Sequence, residues 1–216
     1  MNINAIIADD HTIIREGLKS LLDKKGVDVL AIAKNGREAI ELAIQHRPDV
    51  VIMDISMPDF NGLDATAVIR EEIPSTKVIA LSMHSDKRLV NRMFASGATG
   101  YVLKESAIDE LYDAIREVNI GNAYLSASIA RMYVDSSEGL FKDPETMPDY
   151  KELSKKERHV LQLVAEGKKT RDIAQELSVS VKTVETHRRN IMKKLDIFSI
   201  AGLTKFAIKE GIISLD

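Results

Sequence analysis

Three aspartates, one serine and one lysine stand where apolar runs end in this 216-residue chain. Asp9 and Asp10 follow the run from Ile3 to Ala8, and Asp54 follows Val50 to Met53. Ser82 follows Lys77 to Leu81, and Lys104 follows Tyr101 to Leu103. Carboxylates held close together repel, so such a group either raises a pKa or holds a hard cation. Carboxylates, backbone carbonyls and water suit Mg²⁺ or Mn²⁺. A cation beside Asp54, with an ammonium and a hydroxyl nearby, forms a phosphoryl-binding arrangement in which Asp54 can act as the nucleophile. A single Asp after a strand is most often a turn residue, and a single Lys or Ser is most often solvated. Their coincidence at one edge gives the set its meaning.

That edge requires a particular scaffold. The four runs named above and a fifth, Val27 to Ala33, are nearly continuous in Ile, Val, Leu and Ala, as strands of a parallel sheet covered on both faces are. Helical spacing fills the intervals: Ile14, Leu18, Leu21 and Leu22; Ala39, Ile40 and Ala43; Ala65, Val68 and Ile69; Leu89, Val90, Met93 and Phe94. A fifth pattern, Ile108, Leu111, Ile115 and Val118, opens with Ser106 and Asp109 at capping-box spacing. Five such βα units predict a doubly wound, flavodoxin-like α/β domain of five parallel strands over residues 1–120. In the order 2-1-3-4-5, strands 1 and 3 are neighbours at the switch point where ligands bind. Strand 2 ends without a reactive group.

The rest of the chain differs in charge and pattern. Residues 151–216 carry 14 Lys and Arg against 9 Asp and Glu, a net of +5, whereas residues 1–150 carry 16 against 24, a net of −8. An acidic front and a basic tail point to two domains with different partners, the tail meeting nucleic acid. Residues 121–150 read as a linker. It holds a turn at Gly121 to Leu125, a short helix over Ser126 to Val134, and breaker-rich, flexible stretches after residue 135. In the tail, Ser154 and Glu157 form a capping box ahead of Val160, Leu161, Val164 and Ala165. A second helix from about Thr170 or Arg171 to Leu177 and the turn Ser178-Val179-Ser180 lead into a third from about Val181 to Leu195, as in a helix-turn-helix. A fourth runs from Ile200 to Glu210. On the third helix Val184, Ile191 and Leu195 form a core stripe, with His187 or Arg188 at its edge. Lys182, Thr186, Arg189 and Lys193 lie on another face. That stripe suits the major groove of double-stranded DNA.

Two resemblances sharpen this reading. The stretches Ala8-Asp9-Asp10-His11, Met53-Asp54-Ile55-Ser56-Met57-Pro58, Ala80-Leu81-Ser82 and Tyr101-Val102-Leu103-Lys104 resemble the receiver domain of bacterial response regulators. The resemblance implies that Asp54 is the phospho-acceptor. It also implies that Asp10, Asp54 and the Ser56 backbone carbonyl ligate Mg²⁺ with help from Asp9 through water. Ser82 and Lys104 would bind phosphoryl oxygens, and Tyr101 would be an aromatic switch. His11 is not expected to be a ligand, because the site needs hard oxygen donors. The stretches Leu153 to Arg158, Glu166-Gly167-Lys168, Asp172-Ile173-Ala174, Ser180 to His187 and Lys194-Leu195 resemble LuxR-type DNA-binding domains, and the domain order resembles NarL/FixJ-type regulators. By that likeness Glu185, Thr186 and Arg189 would face base edges, with Lys182, Thr183 and His187 near phosphates.

The expectation is therefore a phosphorylation-controlled transcriptional regulator of a two-component system, not an enzyme. A sensor histidine kinase donates to Asp54, and phosphorylation promotes homodimerisation and DNA binding. The main alternative is a Mg²⁺-dependent phosphatase with an aspartyl-phosphate intermediate. That reading lacks the second Asp expected two residues after the nucleophile on its first strand, where Thr12 follows Asp10, and it leaves the basic tail unexplained. With 44% hydrophobic residues and no cysteine, the composition excludes wholesale disorder, a disulfide framework and a thiolate metal site. No apolar run approaches the ~18 residues of a membrane span, and the start lacks signal-peptide character, so a cytoplasmic location is expected.

Overall fold

The computed structural model describes residues 3–134 and 153–213. The front half is a parallel sheet built from β1 (Ile3–Ala8), β2 (Val27–Ala33), β3 (Val50–Asp54), β4 (Lys77–Ser82), β5 (Gly100–Leu103) and β6 (Tyr124–Leu125). The strand order is β2-β1-β3-β4-β5-β6, so the expected switch point lies between β1 and β3. The sixth strand corrects the sequence reading, which put a turn at Gly121 to Leu125. Tyr124 and Leu125 pair with Gly100 and Tyr101, satisfying the open backbone edge of β5.

Strand alternation divides the core. Ile7 and Ile52 pack on one face with Leu18 and Leu22 of α1 (Thr12–Lys24) and Leu111, Ile115 and Val118 of α5 (Ala107–Asn119). Ile6, Val51 and Met53 pack on the other with Ala39 and Ala43 of α2 (Gly36–His46) and Ala65 and Ile69 of α3 (Gly62–Glu72). Both faces are covered, which explains why the strands read as apolar runs without alternation. The capping box expected at Ser106 and Asp109 does not form. A 3₁₀ turn over Lys104–Ser106 precedes α5, and Ser106 Oγ instead lies 3.3 Å from both the Leu103 carbonyl and Ser126 Oγ.

A third core cluster runs through both halves of the chain. It joins Leu89, Val90 and Met93 of α4 (Lys87–Ala95) to Ile129 and Tyr133 of α6 (Ala127–Val134). It also includes the tail helices α7 (Lys155–Ala165), α8 (Thr170–Glu176), α9 (Val181–Leu195) and α10 (Ile200–Lys209). The helix expected at the start of the linker is thus packed on the front domain. The breaker-rich stretches assigned as flexible, from Asp135 onward, lie outside the described residues. Among the described residues no helix is long and apolar enough to cross a membrane.

The tail begins at the expected capping box. Ser154 Oγ accepts from the Glu157 amide at 3.3 Å, while Glu157 Oε2 accepts from the Ser154 amide at 2.8 Å. Lys194 of α9 also reaches Glu157 Oε2, at 2.7 Å, so one buried carboxylate caps α7 and ties it to α9. Burial pushes the Glu157 carboxyl up, but the Lys194 and Ser154 contacts outweigh it and hold its pKa below the ordinary value. The folded carboxyl therefore binds its proton less readily than in the unfolded chain. Its contribution is present above the ordinary carboxylate range and is lost as pH falls through the lowered value. Glu157→Ala should cost about 1–2 kcal/mol at neutral pH by loss of the cap, with a smaller deficit relative to wild type in acid. Thermal melts at both pH values check this; an equal deficit at both would contradict it.

Candidate functional site

Three registers assemble the residues at the carboxyl edge. Ala8 is paired with Met53, which places the next residues, Asp9 and Asp54, side by side. Asp54 is paired with Leu81, and Ser82 with Leu103, which carries the row on to Lys104 in the following turn. The sequence reading placed these five side chains at one edge, and the structure brings Lys104 into contact with Asp9 and Asp54, while Asp10 pairs with His11. Lys104 Nζ lies 2.7 Å from Asp54 Oδ2 and 2.8 Å from Asp9 Oδ2. Asp9 and Asp54 are buried, and Lys104 is 7% exposed along its side chain.

A buried triad of two carboxylates and one ammonium keeps one negative charge in excess, before Asp10 is counted. Desolvation pushes the Asp54 carboxyl up to about 6, Lys104 opposes the rise, and neighbouring Asp9 reinforces it. Burial works against the Lys104 ammonium, but Asp54 and Asp9 more than compensate and raise its pKa above the ordinary value. The Ser56 amide donates to Asp54 Oδ1 at 3.3 Å, so the loop after β3 turns back over the carboxylate. Gly62 closes that loop. Its amide donates to the Ile55 carbonyl at 2.8 Å, and a Cβ at Gly62 would collide with the Asp54 carbonyl.

Asp9, Asp10, His11 and Asp54 each offer a ligand atom within 4.8 Å of the others. The three carboxylates match the hard oxygen set that holds Mg²⁺ or Mn²⁺. His11, set aside in the sequence reading, sits closer than expected: its Nδ1 is 2.8 Å from Asp10 Oδ1 and 3.2 Å from Asp9 Oδ1. An imidazole at that place pairs with the carboxylates as a hydrogen-bonding neighbour, and the oxygen donors remain the better match for a hard cation.

Ser82 and Tyr101 continue the site inward. Ser82 Oγ accepts from the His84 amide at 3.0 Å, and the Tyr101 hydroxyl donates to the His84 carbonyl at 2.7 Å. Tyr101 is fully buried, and burial raises its phenol pKa. Its ring is therefore part of the core.

The basic face of α9 is separate and open. Lys182, Glu185, Thr186, Arg189 and Lys193 are exposed, Thr183 and His187 are half-buried, and Val184, Ile191 and Leu195 are buried as their spacing predicts. Ser180 caps the helix through the Thr183 amide at 3.0 Å. Thr186 Oγ1 donates to the Lys182 carbonyl at 2.9 Å, which engages its hydroxyl within the helix. Of the two candidates at the stripe's edge, Arg188 crosses to α8 and donates to Thr170 Oγ1 at 2.9 Å. The reading missed one residue of consequence: Gln162, which is 1% exposed. The available signal was the run Val160-Leu161-Gln162-Leu163-Val164, apolar on more than one face, as in a helix packed on several sides.

Comparison with known proteins agrees with both halves. The response regulator receiver domain family matches residues 5–116, and the luxR family of bacterial regulatory proteins matches residues 151–207. The chain is 39% identical over 214 residues to the oxygen regulatory protein NreC of Staphylococcus haemolyticus, covering 96% of this chain and 98% of that one. It is similar in structure to the Salmonella typhimurium RcsB response regulator, with a TM-score of 0.56 and 29% identity over 95% of this chain and 97% of that one. An RcsB–DNA complex gives a TM-score of 0.58 at 28% identity, over 97% of this chain and 99% of that one. These relatives are regulators, which sets aside the phosphatase alternative. With its receiver fold ahead of a LuxR-type helix-turn-helix, the chain belongs to the DNA-binding response regulators of two-component systems.

Proposed function

We propose that Asp54 accepts a phosphoryl group from a sensor histidine kinase, and that this event controls dimerisation and DNA binding. Residues 1–120 act as the receiver, 121–150 join the halves, and 151–216 bind double-stranded DNA. The observation that carries the reading is Lys104 bridging Asp9 and Asp54 at the sheet's carboxyl edge. It neutralises part of a carboxylate cluster and stands beside the atom that would be phosphorylated.

Asp54 carries the reaction as nucleophile: its carboxylate oxygen bonds to phosphorus as the donor's bond to phosphorus breaks. Asp9, Asp10, Asp54 and the Ser56 carbonyl are the groups that would hold Mg²⁺. When bound, the cation supplies positive charge against the phosphoryl oxygens. Lys104 turns toward those oxygens, with Ser82 as a hydroxyl partner. Tyr101, already bonded to the His84 carbonyl, follows the β4–α4 loop as Ser82 is drawn to the phosphate, a local change that biases a two-state element. The bound phosphate adds about −1.5 to −2 charges, by analogy with other phosphorylated residues.

At the other end, α9 enters the major groove. Glu185, Thr186 and Arg189 face base edges, with the Thr186 methyl outward because its hydroxyl is engaged. Lys182, Thr183, His187 and Lys193 lie near phosphates. The RcsB–DNA complex supports this placement by likeness of fold. A dimer then sets two reading helices at one spacing.

Incubation with acetyl phosphate should add one phosphoryl group per chain by intact mass. Asp54→Ala or EDTA should abolish the labelling; undiminished labelling in either case would remove Asp54 or the cation from the proposal. For α9, Arg189→Ala should weaken specific binding by about 1–3 kcal/mol and relax selectivity at one base pair. Lys182→Ala should weaken all sequences alike and lower the salt slope by about one. Val184→Ala should instead destabilise the tail by about 2 kcal/mol. Gel-shift titrations at several salt concentrations, with melts, separate the three. Wild-type binding by Arg189→Ala on cognate and scrambled DNA would mean that α9 is not the reader.

A further inference from the structure

The loop that follows Asp54 is held from the far side by the DNA-binding half. Gln162 of α7 accepts from the Asn61 amide and from Asn61 Nδ2, both at 3.0 Å, and donates to the Met57 carbonyl at 2.9 Å. Gln162 also donates to Glu166 Oε1 at 2.9 Å, which in turn accepts from the Asp59 amide at 3.1 Å. Lys168 Nζ pairs with the Asp59 carboxylate at 2.6 Å, and Asp59 has a left-handed backbone, at φ +65°. Three backbone groups between Met57 and Asn61 thus have partners on α7 and its C-cap Glu166. Each of those bonds depends on where the loop backbone lies, because the partners are main-chain atoms and not adjustable side chains. A buried amide such as Gln162 is costly unless its donor and acceptor are both met, so the grip is conditional on the loop's position.

The same loop serves the pocket. The Ser56 amide bonds Asp54 Oδ1, and Gly62 is pressed against the Asp54 carbonyl. Ser56 and Met57 present consecutive carbonyls. One would be drawn toward a cation beside Asp54, while the next is bonded outward to Gln162. We propose that Gln162, supported by Glu166, is a positioning residue for the phospho-acceptor loop, acting from the DNA-binding half to hold it in the unphosphorylated geometry. This proposal rests on the reading of Asp54 as acceptor. By linkage, whatever factor the grip takes from cation and phosphoryl binding, those ligands take from the grip. Phosphorylation then frees α7, and loss of Gln162 eases phosphorylation.

The test compares acetyl-phosphate labelling of the full chain by intact mass, titrating Mg²⁺ to separate its half-saturating concentration from the maximal rate. Gln162→Ala, and Gln162→Glu, which keeps the shape but loses the donor and faces Glu166, should lower the Mg²⁺ requirement or raise the rate by about 5-fold or more. Hydrogen exchange should show the Asp59 and Asn61 amides losing protection in these variants and in phosphorylated wild type. Arg92→Ala is the control. It removes the 2.6 Å pair with Glu210 that docks the tail on α4 and leaves the loop contacts in place. Rates equal to or below wild type in folded Gln162 variants would overturn the proposal. So would an equal acceleration by Arg92→Ala, which would assign the effect to docking in general. Unaltered protection on phosphorylation would remove the reciprocal arm and the proposal with it. Failure of wild type to label at Asp54 is a different result and would defeat the acceptor assignment itself. Thermal melts confirm that the variants are folded before rates are compared.

Discussion

Lys104 is the constraint on which the receiver edge depends. Two buried carboxylates side by side would repel in a low-dielectric interior, and the strand registers leave them no freedom to separate. The lysine between them makes the arrangement tolerable, and the incomplete cancellation makes it chemically useful. Burial pushes the Asp54 carboxyl up to about 6, and Asp9 adds to the rise against the opposing pull of Lys104. A divalent cation or a charge-bearing ligand has something to gain there, whereas a fully neutralised cluster would have little. Removing one member of such a buried set is costly because the others are left uncompensated.

The tail answers to a different constraint, the separation of faces on one short helix. The buried stripe of α9 packs on α7 and α8, and its last turns are tied down through Lys194 to the Glu157 that caps α7. The outward stripe is then fixed in direction by the face it does not share. This is how a small domain aims side chains it cannot itself bury. Arg188, adjacent to the exposed Arg189, shows the division: it reaches back to Thr170 to set α8 against α9.

The fold was legible where the signal was a period, and the site where it was a position at the end of a period. Strand ends, the capping box at Ser154, and the buried stripe through Val184, Ile191 and Leu195 all follow from local pattern. The failures share one cause. Tyr124 and Leu125 form a strand only because β5 has an open edge, and two residues carry no period of their own. Ser106 has the spacing of a cap but a backbone already committed to a 3₁₀ turn. Gln162 sits in an apolar run that marks a helix packed on several sides, but its partners, about a hundred positions earlier, cannot be read from that run. Contacts between distant segments leave little trace in one sequence unless their chemistry is unusual.

The position of the tail adds a step that neither half shows alone. With α7 docked on the loop after Asp54 and Glu210 paired with Arg92, the outer residues of α9 are still in solvent. Docking therefore does not work by covering the side chains that would meet base edges. What it fixes is the orientation of α9 relative to the receiver, and hence relative to a second copy joined through either half. A site read by two helices one DNA turn apart is sensitive to that orientation even when each helix is accessible. On the proposed reading, a loop of a few residues beside Asp54 governs binding from a distance. It needs to release a geometry, not uncover a surface.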